Sequence, residues 1–269
     1  MIEISINPIA FSIGPIDVGW YGIMVTLAVI TMVVWALLNA RKDPKITYDM
    51  VINGALVGIP SGAIFARLLH VIDKWSYYYH NPGEIIGGDG LTIWGAVLGV
   101  ALGLWIFSRF NKRSFAYLAD MLAPGIILAQ AVGRVGCTIL GDDTGTFTSL
   151  PWGVVYTNMN SPSFGLPPTH PVVTYEIIYN LIAFGVLFLL RKKLKPDGSL
   201  FMVYLALYSA WRLGGDFMRT GSTFLFGLHQ AQVISIIVLL VTVPMLIWKT
   251  RWVKDGEHEE AAPEEKPAA

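Results

Sequence analysis

The chain has 269 residues, of which 54% are hydrophobic and only 14% are charged, and its mean hydropathy is +0.55. Soluble domains carry about 25% charged residues, so this composition excludes an ordinary soluble domain and indicates a membrane protein. Basic and acidic residues number 19 each, so net charge does not indicate a nucleic-acid partner. The single cysteine, Cys137, excludes an intrachain disulfide and a cysteine-cluster metal site.

Seven apolar segments are long enough to span a bilayer, which requires about 20 residues in a helix. We expect transmembrane helices over residues 20–40, 50–72, 91–107, 116–138, 173–190, 199–217 and 230–248. Residues 1–15 lack a basic region before an apolar core, so the first helix is expected to act as an uncleaved insertion signal. Gly95, Gly99 and Gly103 recur every four residues and predict close helix packing. The predicted fold class is an all-α membrane protein.

Basic residues alternate between the predicted loops, and this alternation orients the helices. Four segments are basic, namely the 1–2, 3–4 and 5–6 loops and the start of the C-terminal tail. The 2–3 loop has only Lys74, and residues 141–169 have neither lysine nor arginine. Basic loops stay in the cytoplasm, so we predict an external N-terminus, a cytoplasmic C-terminus and seven spans.

Two further segments complete the predicted organisation. Residues 1–254 are expected to form one seven-helix transmembrane domain whose 4–5 loop lies outside. Within that loop, residues 152–156 are expected to form a short strand or an interfacial piece. Residues 255–269 are acidic and rich in alanine and proline, so we predict a disordered tail.

Arginines stand within or at the end of apolar segments: Arg67, Arg134, Arg212 and Arg219. An arginine at the bilayer centre costs at least ~2.5–3.5 kcal/mol, and its planar fork suits phosphates and carboxylates. Asp216 shares a helix face with Arg212 and can neutralise it. Because we expect too few carboxylates at the depth of these arginines, an anionic lipid headgroup is the expected partner.

Residues near Arg134 allow more than one interpretation. Gly133 and Gly136 would let either a substrate or another helix approach the backbone closely. Cys137 is either a nucleophile or a packing thiol, and the sequence contains no Cys/His arrangement that would activate it. We therefore favour the packing thiol.

Six short motifs follow one another along the spans: Trp20-Tyr21-Gly22, Ala66-Arg67, Gly133-Arg134-Val135-Gly136 with Gly145 beyond it, His170-Pro171 with Tyr175-Glu176, Arg212 with Asp216 and Arg219, and Gln232 with Ser235. In order and spacing they resemble the motifs of prolipoprotein diacylglyceryl transferases. The resemblance extends over nearly the whole chain. Each motif is weak alone, and their shared order makes the resemblance specific.

The resemblance implies an enzyme at the outer face of the bacterial inner membrane. It would transfer the diacylglyceryl group of phosphatidylglycerol to the lipobox cysteine of a preprolipoprotein signal peptide, with release of glycerol phosphate. The implied partners are these two substrates and membrane lipid, without nucleic acid, metal or cofactor. The expected catalytic residues are Arg134, Arg212, Asp142, Tyr21 and His170. The expected substrate-binding residues are Arg134, Arg212, Arg219, Arg67, Gly133, Gly136, Gly145, Asp216, Glu176 and Tyr175.

The sequence departs from the usual family pattern at several positions. Cys137 and Leu140 stand where asparagines are usual, Asp142 stands where glutamate is usual, and Trp94 replaces a histidine. A tryptophan cannot accept a proton, so the base for the substrate thiol is expected elsewhere.

Four residues are candidates for that base: Asp142, Asp143, Tyr21 and His170. We favour the aspartate pair, because adjacent carboxylates can raise the pKa of one of them. The alternatives are a solvated aspartate turn and a histidine that only positions the fifth span.

Two other functions are compatible with parts of the sequence. A divergent paralogue would bind phosphatidylglycerol with a different acceptor or no transfer. A small-solute transporter would need inverted repeats or broken helices, and the sequence shows neither.

Overall fold

A computed structural model describes residues 1–86, 90–221 and 223–252. Within these residues the chain is mostly helical. Its α-helices are α1 (Trp20–Ala40), α2 (Tyr48–Asp73), α3 (Trp75–Tyr78), α4 (Ile93–Phe110), α5 (Phe115–Leu140), α6 (Val172–Leu190), α7 (Ser199–Gly215) and α8 (Gln230–Lys249). Each of the seven predicted apolar segments coincides with one of the long helices.

Six of these helices in the described residues are long and apolar enough to cross a membrane, namely α1, α2, α4, α5, α6 and α8. Helix α7 coincides with the remaining predicted span and has 17 residues. The chain is therefore a multi-pass membrane protein. The tail predicted over residues 255–269 lies outside the described residues.

Short strands join segments that are distant in sequence. The strands are β1 (Ile2–Ile4), β2 (Ile9–Ile13), β3 (Ile16–Gly19), β4 (Val154–Tyr156), β5 (Leu194–Lys195) and β6 (Arg251–Trp252). Strand β1 pairs in parallel with β4, β2 and β3 form an antiparallel hairpin, and β5 pairs with β6. Of the two forms expected for residues 152–156, a short strand or an interfacial piece, the strand is the one observed, as β4.

The described residues divide into two compact units, one within residues 33–119 and one within residues 1–32 and 120–252. In the first unit, α2 packs on α4 through the predicted glycine face. A Cβ added to Gly95 or Gly99 would overlap the backbone of Phe65 or Ser61, and one added to Gly103 would overlap the Ser61 side chain. Only glycine therefore permits this approach of the two helices.

The second unit has an apolar core between α5, α6 and α7. Its fully enclosed side chains include Ile127 of α5 and Leu187 of α6, and Leu200 of α7 packs with them. The buried residues of α6 recur at intervals of three or four, which places them on one face of the helix. That face also carries Glu176, which belongs to the site described below.

Helix α7 receives its N-terminal cap from another helix. The preceding residue, Gly198, has a φ of +96° and offers no side chain to the free amides. The Asp120 carboxylate of α5 accepts hydrogen bonds from the backbone N–H groups of Gly198 and Phe201, each at 2.7 Å. Asp120 therefore ties the first turn of α7 to α5.

We expect Asp120→Ala to destabilise the protein by about 0.5–2 kcal/mol, because two amides at the start of α7 lose their acceptor. Thermal unfolding in detergent micelles would measure this as a lower Tm. Asp197→Ala, which removes an exposed neighbouring carboxylate, is the control and should leave Tm unchanged. Equal Tm values for the two variants would contradict the capping role.

Candidate functional site

The polar site lies where three helix ends of one compact unit meet. Arg134 stands near the C-terminal end of α5, and Glu176 stands in the second turn of α6. Arg212 lies in the last turn of α7, and Asp216 and Arg219 follow that helix directly. Since α6 begins where α5 and α7 end, charges that are far apart in sequence come together here.

Glu176 is the centre of this site. Its side chain is only 1% exposed, and each of its two oxygens contacts a different arginine. Oε1 accepts a hydrogen bond from Nε of Arg134 at 2.9 Å, and Oε2 accepts one from Nη2 of Arg219. A buried carboxylate held between two guanidinium groups fixes the orientation of both.

Two aspartates complete the network. Oδ2 of Asp143 accepts hydrogen bonds from Arg134, at 3.2 Å, and from Arg219. Oδ1 of Asp216, which is buried, lies 3.2 Å from Nη1 of Arg212 and 3.1 Å from Nε of Arg219. The predicted pair of Arg212 with Asp216 is thus present, and Arg219 joins it to Asp143 and Glu176.

This arrangement corrects the charge balance expected from the sequence. Three arginines meet three carboxylates in the ion network, namely Arg134, Arg212, Arg219, Asp143, Glu176 and Asp216. The expected shortage of carboxylates is therefore wrong. Asp143 and Glu176 lie 9 and 42 residues from Arg134, so local helix spacing did not reveal either partner.

Some arginine donors nevertheless remain without partners. Arg212 makes a single ion pair, through Nη1 with Asp216, and its Nε and Nη2 make no hydrogen bond or ion pair within the described residues. The Arg134 side chain is 24% exposed and uses Nε and Nη1 in its contacts. These two arginines therefore retain donors for a further anion, whereas Arg219 is nearly enclosed.

Asp142 differs from its neighbour Asp143. It is exposed and has no ion pair within the described chain, and its carboxylate accepts a hydrogen bond from its own backbone amide. Partial desolvation, followed by the Asp143 carboxylate, raises the pKa of Asp142 above the ordinary value. Tyr156, which faces the same loop, has its pKa raised to about 12, mainly by burial.

His170 and Gly145 pack against each other beside the network. A Cβ added to Gly145 would overlap the backbone oxygen and the Cβ of His170. The His170 amide donates to the Thr146 carbonyl at 2.9 Å, while its buried Nδ1 has no partner in the described chain. His170 also lines a small cavity with Asp143 and Tyr156. Gly145 thus serves close packing, and His170 keeps one ring nitrogen for another group.

Helix α1 occupies the space next to the α5 glycines. A Cβ added to Gly136 would lie 2.9 Å from Cβ of Met24 and 3.0 Å from Cα of Tyr21. Of the two interpretations of these glycines, the approach of another helix is the one observed at Gly136. Tyr21 is 46% exposed at this contact. Gly133 faces Ala28 at ordinary van der Waals distance.

The contacts and exposure of three further residues, Tyr175, Cys137 and Trp94, are as follows. Tyr175 accepts a hydrogen bond from Nε1 of Trp152 at 2.7 Å, which ties α6 to the 4–5 segment. Cys137 is buried, with its sulfur 3.7 Å from Nη1 of Arg134. Trp94, in the first turn of α4, is 41% exposed.

Arg67 belongs to the other compact unit and is held by backbone carbonyls. Nε donates to Ile85 at 3.0 Å, Nη1 donates to Gly90 at 2.9 Å, and Nη2 donates to Glu84. The guanidinium also lies 5.2 Å from the centre of the Tyr78 ring. These contacts tie α2 to the described residues Glu84, Ile85 and Gly90, and a role of Arg67 in substrate binding stays a prediction.

Two side-chain amides with buried polar atoms were not identified from the sequence. Asn180 is fully buried one turn after Glu176, and Gln130 precedes Arg134 by one turn. Each has side-chain atoms without partners in the described chain. Their spacing of four residues from recognised site residues was the only signal in the sequence.

Comparison with known proteins identifies the family. The family model of prolipoprotein diacylglyceryl transferases matches residues 8–248. The chain belongs to the prolipoprotein diacylglyceryl transferase family. A phosphatidylglycerol–prolipoprotein diacylglyceryl transferase of Dehalococcoides mccartyi is 45% identical over 258 residues, which cover 96% of this chain and 99% of that protein.

More distant members of this transferase family agree over almost the same length. The Clostridioides difficile protein of that name is 35% identical over 254 residues, covering 94% of this chain and 99% of its own. The Listeria innocua protein is 32% identical over 253 residues, covering 91% and 90% respectively. The resemblance inferred from six motifs is therefore confirmed over nearly the whole chain.

We expect Glu176→Ala to destabilise the protein by about 3–5 kcal/mol, because Arg134 and Arg219 would face each other without the buried carboxylate. Thermal unfolding in micelles measures the change, and Glu176→Gln, which keeps the volume, should be affected less. Glu3→Ala, at an exposed position, serves as the control. A wild-type Tm for Glu176→Ala would refute the central role of this carboxylate.

Proposed function

We propose that this protein transfers the diacylglyceryl group of phosphatidylglycerol to the lipobox cysteine thiol of a preprolipoprotein signal peptide. This reaction is the lipidation step of bacterial lipoprotein biosynthesis. Family membership over nearly the full length supports the reaction, and the unpaired donors of Arg134 and Arg212 support the lipid phosphate as ligand. No cofactor enters the proposed chemistry.

The phosphate of phosphatidylglycerol binds between Arg134 and Arg212. Both guanidinium groups are oriented in advance by carboxylates, Arg134 by Glu176 and Arg212 by Asp216. Fixed donors stabilise charge that develops during a reaction without a further cost of ordering. Arg219 acts indirectly, because its contacts with Glu176 and Asp143 hold the network together.

The transfer forms one bond and breaks one bond. The cysteine sulfur bonds to the glyceryl carbon that carries the phosphate, and the bond from that carbon to the phosphate oxygen breaks. The electron pair stays on the phosphate, which gains one negative charge and leaves as glycerol phosphate. Arginines that face this oxygen favour the transition state over the bound lipid, since the charge is greatest as the bond breaks.

Asp142 is the proposed base for the substrate thiol. Asp143 forms ion pairs with two arginines. Asp142, the other carboxylate of the pair, forms no ion pair in the described part of the chain. Its raised pKa makes it a stronger base than an ordinary aspartate. Tyr21 and His170 are the remaining candidates. Tyr21 packs against Gly136, and His170 packs against Gly145, both beside the network.

The proposed topology has seven spans, with α7 as the sixth, an external N-terminus and a cytoplasmic C-terminus. Strand β1 pairs with β4 of the 4–5 segment, in keeping with one external side for both. Strands β5 and β6 pair at the other helix ends, where the basic residues Lys195 and Arg251 stand. The polar site then faces the outer leaflet of the bacterial inner membrane, within one transferase domain of residues 1–254.

We expect Arg134→Ala to lower kcat/KM for transfer by about 10²–10³, because one donor to the developing phosphate charge is lost. The assay follows phosphatidylglycerol-dependent lipidation of a lipobox peptide by mass spectrometry. Arg134→Lys should recover only part of the loss, since lysine lacks the planar fork. Arg113→Ala, at an exposed position between α4 and α5, should match wild type.

Wild-type protein that binds phosphatidylglycerol without forming a thioether would overturn the transferase proposal. That result would favour the divergent paralogue instead.

The pH dependence of the reaction tests the proposed base. Only ionised Asp142 accepts a proton, so kcat/KM should fall as pH is lowered through its pKa, which is raised above about 3.9. Asp142→Asn should reduce the rate and abolish this acid limb. Tyr21→Phe and His170→Asn should keep it. Loss of the limb in His170→Asn, with retention in Asp142→Asn, would assign the base to His170.

A further inference from the structure

Two side-chain amides beneath the ion network have unused hydrogen-bonding atoms. Asn180 is fully buried, and neither its Oδ1 nor its Nδ2 has a partner within the described residues. Gln130 donates through Nε2 to the Tyr204 hydroxyl at 3.1 Å, while its buried Oε1 also lacks a described partner. Such groups are costly to bury, so a ligand that satisfies them would be favoured.

Their positions place both amides in one layer. Asn180 follows Glu176 by four residues on α6, and Gln130 precedes Arg134 by four on α5. Four residues span about 6 Å of helix and return to the same face. Because Arg134 contacts Glu176 directly, the amides lie just below that contact, on the side of the helix middles.

The surroundings change from ionic to apolar across this layer. Above it stand the arginines and carboxylates, and below it lie the buried apolar side chains of Ile127 and Leu187. A phospholipid presents the same order, with phosphate first, acyl ester groups next and hydrocarbon last. The ester carbonyls accept hydrogen bonds and cannot donate them, and Nδ2 of Asn180 is an unused donor at the matching depth.

We propose that Asn180 donates a hydrogen bond to an acyl ester carbonyl of the lipid whose phosphate is held by Arg134 and Arg212. Binding of the ester requires a local rearrangement around the fully buried Asn180, while Arg134 keeps its contact with Glu176. Water that enters with the ester supplies donors to Oδ1 of Asn180 and Oε1 of Gln130. Asn180 is then a specificity-determining residue that favours ester-linked over ether-linked lipid. This inference rests on the proposed function.

The experiment compares two phosphatidylglycerols that differ only in the linkage of their chains. One is the diacyl ester, and the other is the dialkyl ether, which has no carbonyl. Wild type should prefer the ester by about 3- to 10-fold in kcat/KM, which is the ratio expected from the free energy of one hydrogen bond. Asn180→Leu, of similar volume and without donor or acceptor, should reduce this ratio to near one.

Tyr179→Phe provides the matched control. The Tyr179 hydroxyl belongs to the same turn of α6 and donates to the backbone carbonyl of Leu207 at 2.8 Å. Its removal also deletes a polar group from this turn, yet it should leave the ester-to-ether ratio at the wild-type value. If Asn180→Leu does not fold, Asn180→Ala replaces it in the comparison.

The outcomes separate this inference from the proposed function. Equal use of the two lipids by wild type, or an unchanged ratio in a folded Asn180 variant, would overturn the role of Asn180. Absence of transfer from both lipids by wild type would contradict the proposed function instead. In that case lipid binding alone tests the role of Asn180. The ester lipid should raise the Tm of wild type more than the ether lipid does, and this difference should disappear in the Asn180 variant.

Discussion

The buried Glu176 carboxylate, held between Arg134 and Arg219, is the contact on which the arrangement of the polar site depends. It joins α5, α6 and the segment after α7, and no single helix could position these charges alone. Buried ion pairs return little net stability, because desolvation offsets much of their attraction. Their value here lies in orientation, since an arginine fixed by a carboxylate on one side presents its remaining donors in a defined direction.

The helices around this contact are organised in layers. Ions occupy the helix ends, the amides of Gln130 and Asn180 form the next layer, and the apolar core of α5, α6 and α7 follows. This order parallels the polarity of a phospholipid from its phosphate to its chains. Under the proposed function, a bound phospholipid would meet groups that match the chemistry of its phosphate and its ester linkages in that order.

The helices and most site residues could be predicted from the sequence, because apolar length and motif order are local properties. Arg212 and Asp216 were paired correctly, since four residues separate them on one helix. The central role of Glu176 and the bridging role of Asp143 could not be predicted, because their partners depend on which helix ends meet. Asn180 was missed for the same reason: only a tertiary structure reveals that an amide is buried without a partner.

The ion network also constrains the order in which the chain enters the membrane. Arg134 is synthesised well before Glu176, and the second partner of Glu176, Arg219, follows another 43 residues later. Helix α5 therefore carries an arginine without its main counter-ion until α6 arrives. Insertion of α5 is favoured when α6 and α7 accompany it, so these three helices are expected to leave the translocation machinery as a group rather than one at a time.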